Sequence, residues 1–185
     1  MMGFKKNEAI AIFVILAVLA FVVRLNLNDS FRKSRDVARK GDLRALSDAF
    51  EKYQIDFSSF PQAENGEIVA CFVPSDEGAE YVACSWGNGS VSGVLDGARK
   101  TYLQDIPQDP LAHEGVSYVY FSNGRRYQVY ASLESDKEPE YNPQVVSRNI
   151  SCGTRICNYG LSFQDTPLDR TIEEYENELR IKNAK

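Results

Sequence analysis

Four cysteines, one histidine and a scatter of carboxylates are the residues of this chain whose types could do chemistry. Cys71, Cys84, Cys152 and Cys157 are even in number and outside any C-x2-4-C pattern, which suits two disulfides in an oxidising compartment better than zinc. Three connectivities are open to them; the local pairs, Cys71 with Cys84 and Cys152 with Cys157, are the expectation, and four buried thiols the alternative. The single histidine, His113, argues against poly-histidine metal centres and His-centred triads. What remains for acid–base work is His113 with Asp56, Asp105, Asp109 and Glu114. Acids scattered beside prolines read as turn formers and solvated surface, so neither catalysis nor a cofactor is expected.

The elements that must hold these residues come from an ordinary globular composition, 43% hydrophobic and 25% charged over 185 residues, which argues against disordered and collagen-like chains. With 21 Lys and Arg against 26 Asp and Glu, the net charge of -5 argues against a surface that neutralises phosphates, so nucleic acid is not an expected partner.

Residues 9–23 read AIAIFVILAVLAFVV, without a polar side chain. As a helix this run rises about 22 Å; continued to Leu27 with Arg24 snorkelling, it nearly spans a hydrocarbon core of roughly 30 Å. Lys5 and Lys6 before the run also fit a secretory signal peptide, but no small-residue cleavage pattern follows it. Downstream, Leu43, Leu46, Phe50 and Tyr53 recur at helical spacing with Ala49 and Phe57 on the same stripe. Arg39, Lys40, Asp42, Arg44, Asp48, Glu51 and Lys52 fall on the face read as wet. No proline precedes Pro61, so one helix can run from near Glu8 to about Phe57, a rod of about 75 Å. A break at residues 26–30 into two helices is the alternative.

Beyond Pro61 the pattern changes to short apolar stretches, IVACFV and YVACSW within residues 67–85, separated by turn residues. Residues 86–94 read as a loop and 98–103 as a short helix or turn. Residues 116–121 and 127–133 read as strands joined at Ser122-Asn123-Gly124, since Asn-Gly between β-rich runs marks a hairpin. Residues 147–160 form a cysteine-bearing loop or hairpin. Thr171 and Glu174 fit a capping box opening a terminal helix, with Ile172, Tyr175 and Leu179 on one face. The fold class is α+β, a long N-terminal helix packed on a small antiparallel sheet with disulfide-stapled loops.

Two signals disagree about which side of a membrane the sheet occupies. Lys5 and Lys6 precede the apolar run, whereas Arg24, Arg32, Lys33, Arg35, Arg39 and Lys40 follow it, which by charge alone puts the sheet in the cytoplasm. Disulfides require the opposite.

The extreme N-terminus settles the question. Met1-Met2-Gly3-Phe4-Lys5-Lys6-Asn7-Glu8, with a glutamate five residues into a chain that would start at Phe4, resembles the class III signal of type IV pilins and pseudopilins. Residues 35–53 closed by Phe60-Pro61 resemble the second half of the pilin helix. Asp109-Pro110-Leu111, Tyr118-Val119-Tyr120 and residues 127–134 resemble its sheet, and Cys152-Gly153 with Cys157-Asn158-Tyr159-Gly160 its carboxy-terminal segment. The resemblance implies a pilin-like fold in four parts: a leader and membrane or filament-core helix (1–30), the amphipathic half of the helix (31–60), an extracytoplasmic sheet domain (61–168) and a C-terminal helix or tail (169–185).

The same resemblance implies a structural subunit of a type IV pilus or pseudopilus. A prepilin peptidase would cut after Gly3 and methylate Phe4. Glu8 would lie in the inner membrane, where it offsets the amino-terminal charge of a neighbour as copies leave the bilayer for a helical homopolymer, destined for the cell surface. Phe13, Leu16, Leu19, Ala20 and Val23 are then filament-core contacts, while Leu43, Leu46, Phe50 and Tyr53 hold the helix to its sheet. An assembly platform and a cytoplasmic ATPase are implied partners. Related pseudopilins bind calcium near the carboxy terminus, yet Asp136, Glu138, Asp165 and Asp169 form no recognisable loop pattern, and no metal is assigned. Because Lys5-Lys6-Asn7 stands where the family is apolar, the alternative is an uncleaved, permanently anchored extracytoplasmic binding module with Trp86, Tyr81 and Tyr102 as its ligand face.

Overall fold

A single helix, α1 (Lys6–Phe57), carries the apolar run and the amphipathic stripe without interruption. The computed structural model describes residues 6–75 and 78–184. Gly3 and Phe4 lie outside the described residues, and Glu8 is described only as part of the helix backbone. The polar cluster at residues 26–30 does not break α1, and two of its side chains are satisfied along the helix. Asn26 donates back to the Val22 carbonyl at 3.1 Å, and Asp29 pairs with Lys33 one turn on at 2.8 Å. The helix ends where Ser58 enters the left-handed region (φ 56°) and its N–H closes on the Gln54 carbonyl at 2.8 Å.

Only the second half of α1 is covered by the rest of the chain. Leu43, Leu46 and Phe50 are fully buried, and the Phe50 ring lies 4.7 Å from that of Tyr120 and 5.2 Å from that of Tyr127. These tyrosines belong to an antiparallel sheet ordered β10–β7–β6, where β6 is Val119–Ser122, β7 Tyr127–Ala131 and β10 Tyr159–Ser162. A second antiparallel sheet comprises β1 (Gln62–Glu64), β2 (Glu67–Ser75) and β3 (Gly78–Cys84). Tyr53, half-buried, stacks on Phe57 and meets Tyr102 edge-on at the far end of the helix.

The loop and short helix expected at residues 86–94 and 98–103 are instead a hairpin of β4 (Val91–Leu95) and β5 (Ala98–Leu103). Asp96 and Gly97 turn it with φ of 52° and 78°, the double left-handed conformation that matches strand twist, and β5 is too solvent-exposed to show an apolar alternation. Gly93 in β4 is a close-approach position: a Cβ there would overlap the Phe57 ring, so only glycine lets the strand lie on the end of α1. The strand read at 116–121 begins later, at Val119, with Val116 making only an isolated bridge to Gly153. At the other end β7 stops at Ala131 because the Asn158 side chain takes over both backbone groups of Leu133, at 2.6 and 2.8 Å.

Disulfides join Cys71 to Cys84 across β2 and β3, and Cys152 to Cys157 around the small hairpin of β8 (Ser151–Cys152) and β9 (Arg155–Ile156). A short helix α2 (Pro143–Ser147) precedes that hairpin. The last helix, α3 (Ile172–Asn183), opens on the capping box read from its sequence: Glu174 N–H donates to Thr171 Oγ1 at 3.1 Å and Thr171 N–H donates to Glu174 at 2.8 Å.

Because two aromatic contacts converge on one fully buried ring, Phe50→Ala should cost about 3–5 kcal/mol. Denaturant unfolding of the detergent-solubilised full chain checks this, and the helical content of residues 10–30 should survive.

Candidate functional site

The chain's chemistry-bearing groups converge where α1 leaves the globular part. Asp36 and Arg39, one turn apart, are both fully buried. Arg39 grips Asp109 with two parallel bonds of 2.7 and 2.9 Å, and its third nitrogen reaches Asp36 at 2.8 Å and Glu134 at 2.9 Å. Glu134 in turn accepts two bonds from Arg35, at 2.6 and 2.7 Å. The Asp36 carboxylate also accepts the backbone N–H groups of Glu134 and Ser135, at 2.8 and 3.1 Å, and Asp109 that of Leu111 at 2.8 Å. Three distant segments, α1, the turn at Asp109-Pro110 and the loop after β7, are thereby tied at one point.

Arg39 is a correction to the face read as wet, and Asp109 to the reading of scattered acids as turn and surface. Asp36, Arg39, Leu43, Leu46, Phe50 and Tyr53 are spaced by three and four residues, so the two charged residues continue the buried stripe toward the N-terminus. The spacing could have revealed them; an apolar filter hides them. Burial works against the Arg39 charge, but its bonds to Asp109, Glu134 and Asp36 outweigh burial and hold it protonated. The Arg35 bond, with Arg39 behind it, drives the Glu134 carboxyl down from 4.5 to about 2 despite burial.

N-terminal to this cluster, the described side chains of α1 from Ile10 to Val23 are exposed. Phe13 is 73% exposed, Leu16 59%, Leu19 55% and Val23 54%, and Ala20 is exposed as well. The segment from Ile10 onward is apolar and long enough to cross a membrane. Of the six cations that follow it, Arg35, Arg39 and Lys40 are paired with acids of the sheet domain and Lys33 with Asp29, so most of the cationic excess is matched locally.

The remaining candidates are dispersed. Asp56 accepts from Lys100 at 2.6 Å and Tyr102 at 2.5 Å near the end of α1; His113 and Glu114 sit together on an exposed 3-10 turn. Trp86 packs edge-on against Tyr118, Tyr81 accepts the Val94 N–H, and Tyr102 is bound to Asp56, so the three do not make one ligand face. A groove of about 1170 Å³ runs beside β6, lined by Trp86, Tyr118, Val119, Phe121 and Arg148 but not by Tyr81 or Tyr102. The acids considered for calcium do not fit one: Glu138 is bonded to Lys40 and Asp169 to Arg170. Among the described residues, no three His, Cys, Asp or Glu converge as a metal group.

Two outcomes follow from the cluster. Arg39→Met leaves Asp36 and Asp109 without their cation, and Glu134 with Arg35 alone, and should cost about 3–5 kcal/mol, with Arg39→Lys recovering only part because an ammonium cannot make the forked pair. Urea unfolding measures both. Since folding depresses the Glu134 pKa, its contribution is complete above about pH 5 and disappears as pH falls through about 2, a loss of up to about 3 kcal/mol. Unfolding followed from pH 6 to pH 2 should show this slope, and Glu134→Gln should flatten it.

The chain is 33% identical to type II secretion system core protein G of Klebsiella pneumoniae over 144 residues, covering 77% of this chain and 91% of that protein. It is 27% identical to the Dickeya chrysanthemi protein of the same name, over 82% of this chain and 88% of the other, and 28% identical to that of Vibrio cholerae, over 66% and 71%. No family model and no solved structure matches it. One-third identity along nearly the whole of the Klebsiella protein, on a long half-covered helix backed by disulfide-stapled antiparallel sheets, places this chain in the type II secretion core protein G family of pseudopilins.

Proposed function

We propose that the chain is a structural subunit, without catalytic activity, of a type II secretion pseudopilus, held in the inner membrane before assembly and then polymerised outside the cytoplasm. The observation that carries this reading is the divided fate of α1: one stripe is buried by the sheet from Asp36 to Tyr53, while the apolar half from Ile10 to Val23 has nothing of its own chain against it. An apolar rod of that kind is stable in lipid or against other rods, so bilayer and polymer compete for one surface. Copies related by a head-to-tail contact that does not close form a helix. The names of the relatives favour a secretion pseudopilus over an adhesion or motility pilus.

Processing at Gly3 and Phe4 by a prepilin peptidase, and extraction by a platform protein and an ATPase, belong to this reading. Glu8 is the assembly group: a carboxylate drawn within the bilayer is costly without a partner, and the free amino terminus of the adjacent copy supplies one. In cells carrying the secretion system, Glu8→Ala should leave membrane insertion intact and reduce sheared filaments to background. Unchanged filament yield would contradict the polymer role and leave a permanently anchored module. Intact mass and amino-terminal sequencing of the membrane form should give a chain beginning at methylated Phe4; a chain retaining Met1 would contradict processing.

A further inference from the structure

The loop joining β7 to α2, residues 132–142, is the most acidic irregular stretch near the membrane end of the sheet domain, with Glu134, Asp136, Glu138 and Glu140 in seven residues. Such a loop repels itself unless cations neutralise it, and hard divalent ions with carboxylate ligands are one solution. Here three of the four carboxylates are already committed. Glu134 is held by Arg35 and Arg39. Glu138 and Glu140 both accept from one ammonium, Lys40 Nζ, at 2.7 and 3.1 Å. The Lys40 side chain is only 13% exposed, and that of Glu138 18%, so these contacts are partly shielded from solvent and salt. The Glu138 bond raises the Lys40 pKa against the effect of burial, and the Lys40 bond lowers that of Glu140.

The backbone of the loop is equally provided for. Asp36 accepts two of its N–H groups, the Ser135 carbonyl and hydroxyl accept those of Glu138 and Lys137, and Asn142 N–H donates to the Asn158 carbonyl at 2.7 Å. A divalent ion would have to displace Lys40 or Arg35 to gain more than one carboxylate from this loop. We infer that this chain closes its acidic loop with its own cations, Lys40 above all, and folds without calcium although related pseudopilins bind it near the carboxy terminus. The loop is thereby locked to α1 at the residue that follows Arg39, and its order depends on a side chain rather than on the supply of a metal.

The test is thermal unfolding of the detergent-solubilised full chain in millimolar calcium and in EDTA, with a calorimetric calcium titration of the same preparation. The melting temperature should be the same in both and the titration should show no site. Calcium at a hundred times its dissociation constant would shift a genuine site by about 5 °C or more, and that result would overturn the inference. Lys40→Met should lower the melting temperature by several degrees and Lys40→Arg should retain most of it. A Lys40→Met protein as stable as the parent would equally overturn it. Should Lys40→Met fail to accumulate, the calcium and EDTA comparison on the parent chain still decides the matter.

Discussion

A guanidinium removed from water loses several kcal/mol of hydration unless carboxylates replace the solvent, and Arg39 has three of them around it. That requirement organises the end of the sheet domain from which the uncovered half of α1 emerges. Asp109 must be delivered by the turn before Leu111, Glu134 by the end of β7 and Asp36 by the same face of α1, so a shift in any of these elements leaves buried charge without a partner. The hydrophobic stripe gives α1 its attraction to the sheet, but apolar contacts are tolerant of sliding. The forked Arg39–Asp109 pair, at 2.7 and 2.9 Å, is directional, and it fixes where along the helix the sheet domain sits.

The consequence is a boundary. C-terminal to Asp36 the helix belongs to its own fold: Leu43, Leu46 and Phe50 are sealed under Tyr120 and Tyr127, and Lys40 closes the loop above them. Further toward the N-terminus, from Ile10 to Val23, the same helix is an apolar rod offered to its surroundings. The proposed passage from a membrane to a polymer would use this division, with the exposed half exchanging lipid for other copies while the sheet domain keeps its structure. Disulfides at Cys71–Cys84 and Cys152–Cys157 reinforce the domain where its strands are short, and they agree with an oxidising compartment for it.

Much of this was legible in the residues. The continuity of α1 followed from the absence of proline, the stripe from Leu43 to Tyr53 from its spacing, and α3 from Thr171 and Glu174. What was hidden was hidden for physical reasons. Asp36 and Arg39 continue the stripe in register, yet their burial depends on Asp109 and Glu134, about 70 and 95 residues away, and local pattern carries no information about such partners. The Asp96-Gly97 hairpin leaves little trace in the residues because β5 faces water and shows no apolar alternation, while β4 is short and carries Ser92 and Gly93 among its buried positions. Lys40 looked like a solvated lysine until Glu138 and Glu140 were folded against it. In each case tertiary contact, rather than propensity, chose the outcome.

The most direct measurement is disulfide cross-linking of Leu16→Cys, an exposed position in the uncovered half of α1, in cells that carry the rest of the secretion system. Assembled copies should yield covalent multimers through that cysteine, while the same substitution at Leu46, sealed against the chain's own sheet, should yield none. Leu16→Cys protein that stays monomeric in sheared filaments would contradict a polymer built on this half of the helix.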